Sequence, residues 1–135
     1  MVYAVIDTNI FVSAFITKNA TASTRRVINS LFAGKIKPLY NDEIIEEYSE
    51  VLHRSKFHLA DKDIQRLLYF IQINGIDSSR FPYDGDMPDE DDRVSYEVAL
   101  SEEDSFLVTG NLKHFPKTPK VVTASQMMEI LDYGE

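Results

Sequence analysis

The stretch that decides the fold is residues 2–16, VYAVIDTNIFVSAFI. Its first five residues are apolar and mostly branched or aromatic, which is typical of a short buried strand. The apolar run at residues 10–16 predicts a buried helix that opens directly off this strand. Asp7 stands at the junction of the two, where a carboxylate is neither needed by the core nor freely solvated.

The rest of the chain continues to alternate strand-like and helix-like segments. Further strands are predicted at residues 36–40, 106–109 and 120–122, and Pro38 favours an edge position or a strand start for the first of them. Five further helices are predicted, at about 21–33, 42–54, 61–74, from Asp91 or Asp92 to about 100, and at 123–131. The first is capped by Thr21 or Ser23, the second by Asn41, and the third by Asp61, with Gly75 as its stop. The last begins with a capping box formed by Thr123 and Gln126. Because parallel strands need crossover connections, this order predicts an α/β fold, a three-layer α/β/α domain with a mainly parallel central sheet.

Composition limits the number of domains and the class of protein. A chain of 135 residues that is 44% hydrophobic can bury one core, so we expect a single domain over residues 1–135. The absence of cysteine excludes disulfide scaffolds, thiolate zinc sites and cysteine nucleophiles. No basic leader precedes the first strand and no apolar run approaches membrane-spanning length, which predicts a soluble cytoplasmic protein with no membrane partner.

The charge distribution is uneven. The formal net charge of −8 argues against a protein that binds nucleic acid mainly by coating phosphates with lysine and arginine. Residues 81–135 carry 13 acidic and 4 basic side chains, and six of the acids fall within residues 84–92. Most members of such a run are expected to lie on a solvated loop.

Acidic residues at the ends of elements are the candidates for a site. In parallel sheets, ligands bind beyond the carboxyl ends of the strands, which here are followed by Asp7, by Asn41 and by residues 109–111. Asp7 has an equally good alternative role as a helix cap, although Thr8 or Asn9 would serve that role as well. Asp92 opens a later helix on its predicted inward side, and capping is again the alternative, with Asp89 or Asp91 also able to cap.

One glutamate of the helix at residues 42–54 stands apart from the others. At about 100° per residue, Glu47 lies nearest the apolar face, while Glu43, Glu46 and Glu50 point increasingly toward solvent. The alternative is that all four form a solvated face.

Taken together, Asp7, Glu47 and Asp92 predict a carboxylate cluster at the carboxyl edge of the sheet. Such a cluster repels itself without a cation, so at least one carboxyl group should have a raised pKa in the metal-free protein. Oxygen ligands without cysteine favour Mg²⁺ or Mn²⁺ over zinc, and such an ion suits hydrolysis of a phosphodiester.

Four motifs in order along the chain resemble those of PIN domains, the fold of VapC-type toxins in bacterial and archaeal toxin–antitoxin pairs. They are residues 7–13 (DTNIFVS), 46–52 (EEYSEVL), 89–94 (DEDDRV) leading to Ala99, and 107–111 (LVTGN). Residues 109–116 (TGNLKHFP) resemble one branch of toxin components. The resemblance implies that Asp7, Glu47 and Asp92 are the metal-binding catalytic carboxylates of an endonuclease for single-stranded RNA, supported by Asn9 and Thr109.

The chain departs from the pattern at Asn111, where many PIN domains have a fourth acid. Asn111 can still bind a metal through its amide oxygen, but it brings no charge, which leaves open whether the site holds one metal or two.

The resemblance also implies partners: an RNA substrate, a homodimer and a cognate antitoxin with an arginine for the acidic site. Contacts to RNA would come from local basic groups, for which ordinary surface solvation is the alternative: Arg25 and Arg26, His53, Arg54 and Lys56, and Lys113 with His114.

Two other functions remain open on the sequence. A haloacid-dehalogenase-type phosphatase also places an Asp after its first strand, but it needs a second Asp two residues later, where this chain has Asn9. A non-catalytic binding module that kept the fold and lost the activity is the other alternative.

Overall fold

The structure is a computed structural model that describes residues 1–134, and it contains one parallel sheet of five strands. The strands are β1 (Val2–Ile6), β2 (Ile36–Tyr40), β3 (Ile76–Asp77), β4 (Ser105–Val108) and β5 (Val121–Val122). Their spatial order is β3-β2-β1-β4-β5, so β1 lies at the centre and pairs with β2 on one side and β4 on the other. All carboxyl ends therefore lie along one edge of the sheet.

The helices cover the sheet in two groups. They are α1 (Thr8–Ile16), α2 (Ser23–Phe32), α3 (Asp42–Leu52), α4 (Asp61–Asn74), α5 (Arg93–Leu100) and α6 (Ala124–Tyr133), with short 3₁₀ turns at Ser55–Phe57, Glu90–Asp92 and Leu112–His114. α2 packs against α1 and α6, and α3 packs against α4 and α5. This is the predicted three-layer α/β/α architecture. The core centres on β1, where Ala4 and Val5 are fully buried, as expected for a parallel strand covered on both faces.

The start of two helices differs from the prediction. Ala22, not Thr21 or Ser23, occupies the N-cap position of α2, and no side chain caps that helix. Asp61 is the first residue of α4 rather than its cap, and its carboxylate contacts the ring Nε2 of His53 at 2.7 Å. The predicted Asn41 cap of α3 and the Thr123–Gln126 capping box of α6 are both confirmed.

The neighbourhood of β3 was not predicted, because a two-residue strand carries too little pattern to detect. β3 makes β2 an inner strand, although Pro38 favoured an edge. The proline is tolerated because β3 pairs only with Leu39 and Tyr40 of β2. At Pro38 no outer strand is present, so the backbone N–H that proline lacks is not needed for pairing. Gly75 ends α4 here, and a Cβ on it would meet the carbonyl oxygens of Ile71 and Pro38 at 2.5 Å.

Within residues 1–134, no helix combines the length and the apolar character that crossing a membrane requires.

Candidate metal centre

Asp7 lies at the carboxyl end of β1, in the N-cap position of α1, but its side chain makes no capping hydrogen bond. Its Oδ2 instead accepts a hydrogen bond of 2.7 Å from the hydroxyl of Thr109. Thr109 directly follows β4, whose Val108 pairs with Ile6 of β1, so two adjacent strand ends bring the two side chains together. Thr109 is fully buried, and its hydroxyl also accepts the backbone N–H of Asn111 at 3.0 Å.

Glu47 is held against the same edge from α3. Its Oε2 accepts a hydrogen bond of 2.6 Å from the hydroxyl of Thr8, the residue after Asp7. The neighbouring Tyr48 is buried, donates its hydroxyl proton to the carbonyl oxygen of Ile6, and packs edge-on against Phe11 with ring centroids 5.1 Å apart. These contacts fix α3 on the end of β1. Glu47 is half-buried while the other three glutamates of α3 are exposed, so the predicted helix phase is confirmed.

Asp92 occupies the N-cap position of α5, and it too makes no side-chain capping bond. Its side chain is 17% exposed, and its Oδ2 is buried without any hydrogen-bond partner. The Nδ1 of His114 lies 3.3 Å from this oxygen, but the two atoms do not meet hydrogen-bond geometry. Capping, the alternative role for both Asp7 and Asp92, is therefore wrong for the side chains of both residues.

The pKa values of two of these carboxyl groups are raised. Burial, followed by the charges of Asp7 and Asp89, raises the pKa of Asp92 to about 6, against a smaller opposing effect of His114. Burial is also the largest cause of the raised pKa of Glu47, which the Thr8 hydrogen bond opposes and the charge of Asp7 reinforces. The raised pKa values agree with the prediction, and burial is the largest single cause for both groups.

A group of potential ligand atoms surrounds Asp92. Among the described residues, one oxygen each of Asp89 and Asp92 and one ring nitrogen of His114 all lie within 4.8 Å of one another. Asp7 and Glu47 lie outside that group, although their charges act on the pKa of Asp92. The buried oxygen of Asp92, which accepts no hydrogen bond, and the surrounding carboxylates fit a divalent cation, because such an ion would compensate the buried charge.

Sequence reasoning missed Asp89 and His114 as possible ligands. It took Asp89 for a cap, a role it does have, since its Oδ1 accepts the N–H of Asp91 at 3.1 Å. It took His114 for an RNA contact, because a lone histidine on a polar segment gives no sign of which carboxylate it will meet. The sequence did offer one signal: His114 is a potential metal ligand that stands three residues after Asn111, the position where a fourth acid was expected.

The remaining predicted residues are less constrained. Asn9 and Asn111 are exposed, and neither side chain makes a hydrogen bond within residues 1–134. The support expected from Asn9 and the metal contact expected from Asn111 stay predictions. The hydrogen bond from Thr109 to Asp7 has the form that a supporting residue requires.

Most of the basic groups expected to contact RNA have partners inside the protein. Arg25 donates to the carbonyl oxygens of Ala14 and Thr17 and thereby closes the end of α1. The other paired groups are Arg26 with Asp132, His53 with Asp61, Arg54 with Glu50, and Lys56, whose ammonium lies over the ring of Phe57. Of the predicted set, Lys113 makes no ion pair in the described part of the chain.

The fold and the site together indicate the class of protein. The fold is a parallel α/β/α domain, and carboxylates lie at the carboxyl end of its central strand. The chain belongs to the PIN domain family, whose model matches residues 3–113. No curated protein and no solved structure matches the chain significantly. PIN domains are generally metal-dependent nucleases that act on RNA, so family membership supports a nuclease and leaves the phosphatase alternative without support.

Proposed function

We propose that this chain is a divalent-metal-dependent endoribonuclease, the toxin of a toxin–antitoxin pair, in which Asp7, Glu47 and Asp92 hold Mg²⁺ or Mn²⁺. The observation that carries the proposal is that Asp7 and Asp92 stand at helix N-cap positions without capping, while Asp92 Oδ2 is buried and has no hydrogen-bond partner. A buried carboxylate oxygen without a partner destabilises a fold, and such groups concentrate at functional sites.

The arrangement of hydroxyl groups around the carboxylates supports this assignment. Thr109 donates to one oxygen of Asp7, and Thr8 donates to one oxygen of Glu47, so each carboxylate is oriented while its second oxygen accepts no described hydrogen bond. Such partners fix the direction in which a metal ligand points. The bound cation would lower the pKa of a water molecule and stabilise the leaving oxygen of the phosphodiester.

The charge around the site restricts how RNA approaches. A cleft of about 390 Å³ between α3 and α5 is lined by Glu43, Glu46, Glu47, Glu50 and Asp91 and would repel phosphates. Lys113 and Lys117 lie instead on the segment that follows β4, next to His114. RNA is therefore proposed to reach the metal from the side of residues 112–118.

The same acidic cleft bears on the proposed antitoxin. It offers carboxylates to a guanidinium, which forms strong bidentate contacts with such groups, so an arginine of the antitoxin is proposed to enter there. The toxin is proposed to act as a homodimer, as the sequence resemblance implied, and to be cytoplasmic, as expected from the amino-acid sequence. Sedimentation of the purified protein gives its oligomeric state directly.

Cleavage of a 5′-labelled single-stranded RNA tests the proposed activity. Wild type should cleave with Mg²⁺ or Mn²⁺ and not with a chelator, and Asp7→Asn should lose most of the activity while keeping its circular dichroism spectrum. RNA that binds to wild type but stays intact with either metal would instead favour the non-catalytic binding module.

A further inference from the structure

The short turn at Leu112–His114 holds the side chain of His114 in a defined place. The turn is closed by the N–H of His114, which donates to the carbonyl oxygen of Asn111 at 3.0 Å, and by the N–H of Phe115, which donates to that of Leu112 at 3.2 Å. Thr109 before the turn is fully buried, and Phe115 after it is 4% exposed. His114 is thus anchored to the core on both sides, although its own side chain is 46% exposed.

The geometry between His114 and Asp92 differs from that of an ordinary ion pair. The Nδ1 of His114 and the Oδ2 of Asp92 are 3.3 Å apart, yet they are not aligned as donor and acceptor, and the buried oxygen has no other partner. Neighbouring ligands of an octahedral ion with bonds of about 2.1 Å lie roughly 3 Å apart. One oxygen of Asp89, one oxygen of Asp92 and one ring nitrogen of His114 all lie within 4.8 Å of one another. The three atoms are therefore spaced as ligands of one cation.

We propose that His114 coordinates the divalent cation together with Asp92 and Asp89, so that the centre contains a nitrogen ligand and binds Mn²⁺ in preference to Mg²⁺. The inference rests on the proposed function, because it requires the cation to be bound at Asp92. It gives the centre a ligand from the turn that follows Asn111, whose own side chain brings no charge.

The metal preference follows from the donor atoms. Mg²⁺ is a hard ion that takes oxygen ligands and keeps several waters, whereas imidazole suits transition-metal ions. A neutral imidazole in place of a carboxylate lowers the negative charge of the centre, which weakens binding of Mg²⁺ more than binding of Mn²⁺. Coordination through Nδ1 requires that this nitrogen carry no proton.

Binding of Mn²⁺ to the protein without RNA tests the inference. Electron paramagnetic resonance gives the concentration of free Mn²⁺ and hence the affinity, and spin-echo modulation reports a nitrogen bonded to the ion. Wild type should show the nitrogen modulation, and His114→Gln should lose it together with roughly tenfold or more in Mn²⁺ affinity. His58→Asn is the matched control, since His58 is exposed and its positive φ of 53° is one that asparagine tolerates.

A second variant distinguishes ligand loss from structural damage. His114→Asp supplies an oxygen ligand at the same place, so it should keep Mn²⁺ bound, abolish the nitrogen modulation and bring the affinity for Mg²⁺ closer to that for Mn²⁺. Unchanged Mn²⁺ affinity or persistent nitrogen modulation in His114→Gln would overturn the inference and leave His114 as an ion-pair partner.

The outcomes separate this inference from the proposed function. If Mn²⁺ binding is lost in Asp7→Asn and Asp92→Asn but unaffected in His114→Gln, the role of His114 fails and the carboxylate centre stands. If wild type binds no Mn²⁺ at all, the inference and the metal-dependent function fail together.

Discussion

At the scale of single residues, two threonines decide which way the carboxylates face. Thr109 is fully buried, and its hydroxyl both donates to Asp7 and accepts the N–H of Asn111. The hydroxyl of Thr8 donates to the carboxylate of Glu47. Thr109 thus links Asp7 to the backbone beyond the end of β4, and the position of each carboxylate depends on a neutral hydroxyl neighbour.

Thr109→Val is a shape-conserving test of that link. It removes the donor to Asp7 and leaves the N–H of Asn111 without its acceptor, and the loss of two hydrogen bonds should lower the free energy of unfolding by about 1–3 kcal/mol. The rate of RNA cleavage should fall by roughly 10- to 100-fold, as for other residues that orient metal ligands. Chemical denaturation and cleavage kinetics measure the two effects, with the exposed Thr21→Val as control. Wild-type turnover in Thr109→Val would show that Asp7 needs no orienting partner.

At the scale of elements, the loop between β3 and α5 is fastened by one buried glutamate. The carboxylate of Glu97 accepts the backbone N–H of Tyr83 at 2.9 Å and the Nε of Arg80 at 2.8 Å. Arg80 also reaches Glu43 at the start of α3. Glu97 therefore ties the loop that leads to Asp92 onto α5, and through Arg80 it ties α5 to α3.

Glu97→Gln should destabilise the protein in a pH-dependent way. The N–H of Tyr83 is the largest cause that lowers the pKa of Glu97, followed by Arg80. Because the folded-state pKa lies below the ordinary 4.5, the ionised group contributes stability above pH 4.5 that is lost as the pH falls through the folded-state pKa. We expect a loss of about 1–3 kcal/mol at pH 7 that shrinks toward pH 3.

Urea denaturation of wild type and Glu97→Gln across this pH range measures the difference. Glu43→Gln removes the exposed partner of the same arginine and should change stability by less than about 1 kcal/mol. A difference between wild type and Glu97→Gln that does not change with pH would mean that the carboxylate charge is not what fastens the loop.

The elements also show where sequence reasoning reaches its limit. The strand Ile36–Tyr40 was predicted with its observed ends, and the Asn41 cap and the α6 capping box were predicted because each depends on residues within one turn. β3 and the Asp61 contact with His53 depend on neighbours that only the folded chain supplies. At the site, helix periodicity identified Glu47, but the approach of His114 to Asp92 comes from a turn whose direction has no periodic signal.

At the scale of the whole molecule, the chain has an excess of acidic residues, and the fold brings several of them close to Asp92. The sheet brings together the ends of β1 and β4, and the helix group of α3, α4 and α5 brings α3 and α5 to the same edge. The resulting concentration of carboxylates near Asp92 is stable only with some carboxyl groups protonated or with a cation bound. Stability should therefore depend on both pH and divalent metal.

The metal-free protein should become less stable as the pH rises through the range where Asp92 ionises. Its folded pKa of about 6 lies above the ordinary 3.8, so between these values the folded state binds more protons than the unfolded state. Asp92→Asn should remove this part of the pH dependence. Mg²⁺ should raise the melting temperature of wild type above pH 6 and lose that effect toward pH 4. Equal Mg²⁺ shifts in wild type and Asp92→Asn would place the ion elsewhere.

The central claim is that Asp7, Glu47 and Asp92 act together on one reaction, and the rate of RNA cleavage against Mn²⁺ concentration in a matched set of variants tests it most directly. Asp7→Asn, Glu47→Gln and Asp92→Asn should each lose at least about 100-fold in rate while their folds stay intact, because each removes the charge of a proposed metal ligand and no core contact. Glu46→Gln, one position along the same helix and exposed, should cleave like wild type. Wild-type turnover in Glu47→Gln at limiting Mn²⁺, or equal losses in Glu46→Gln and Glu47→Gln, would contradict the account.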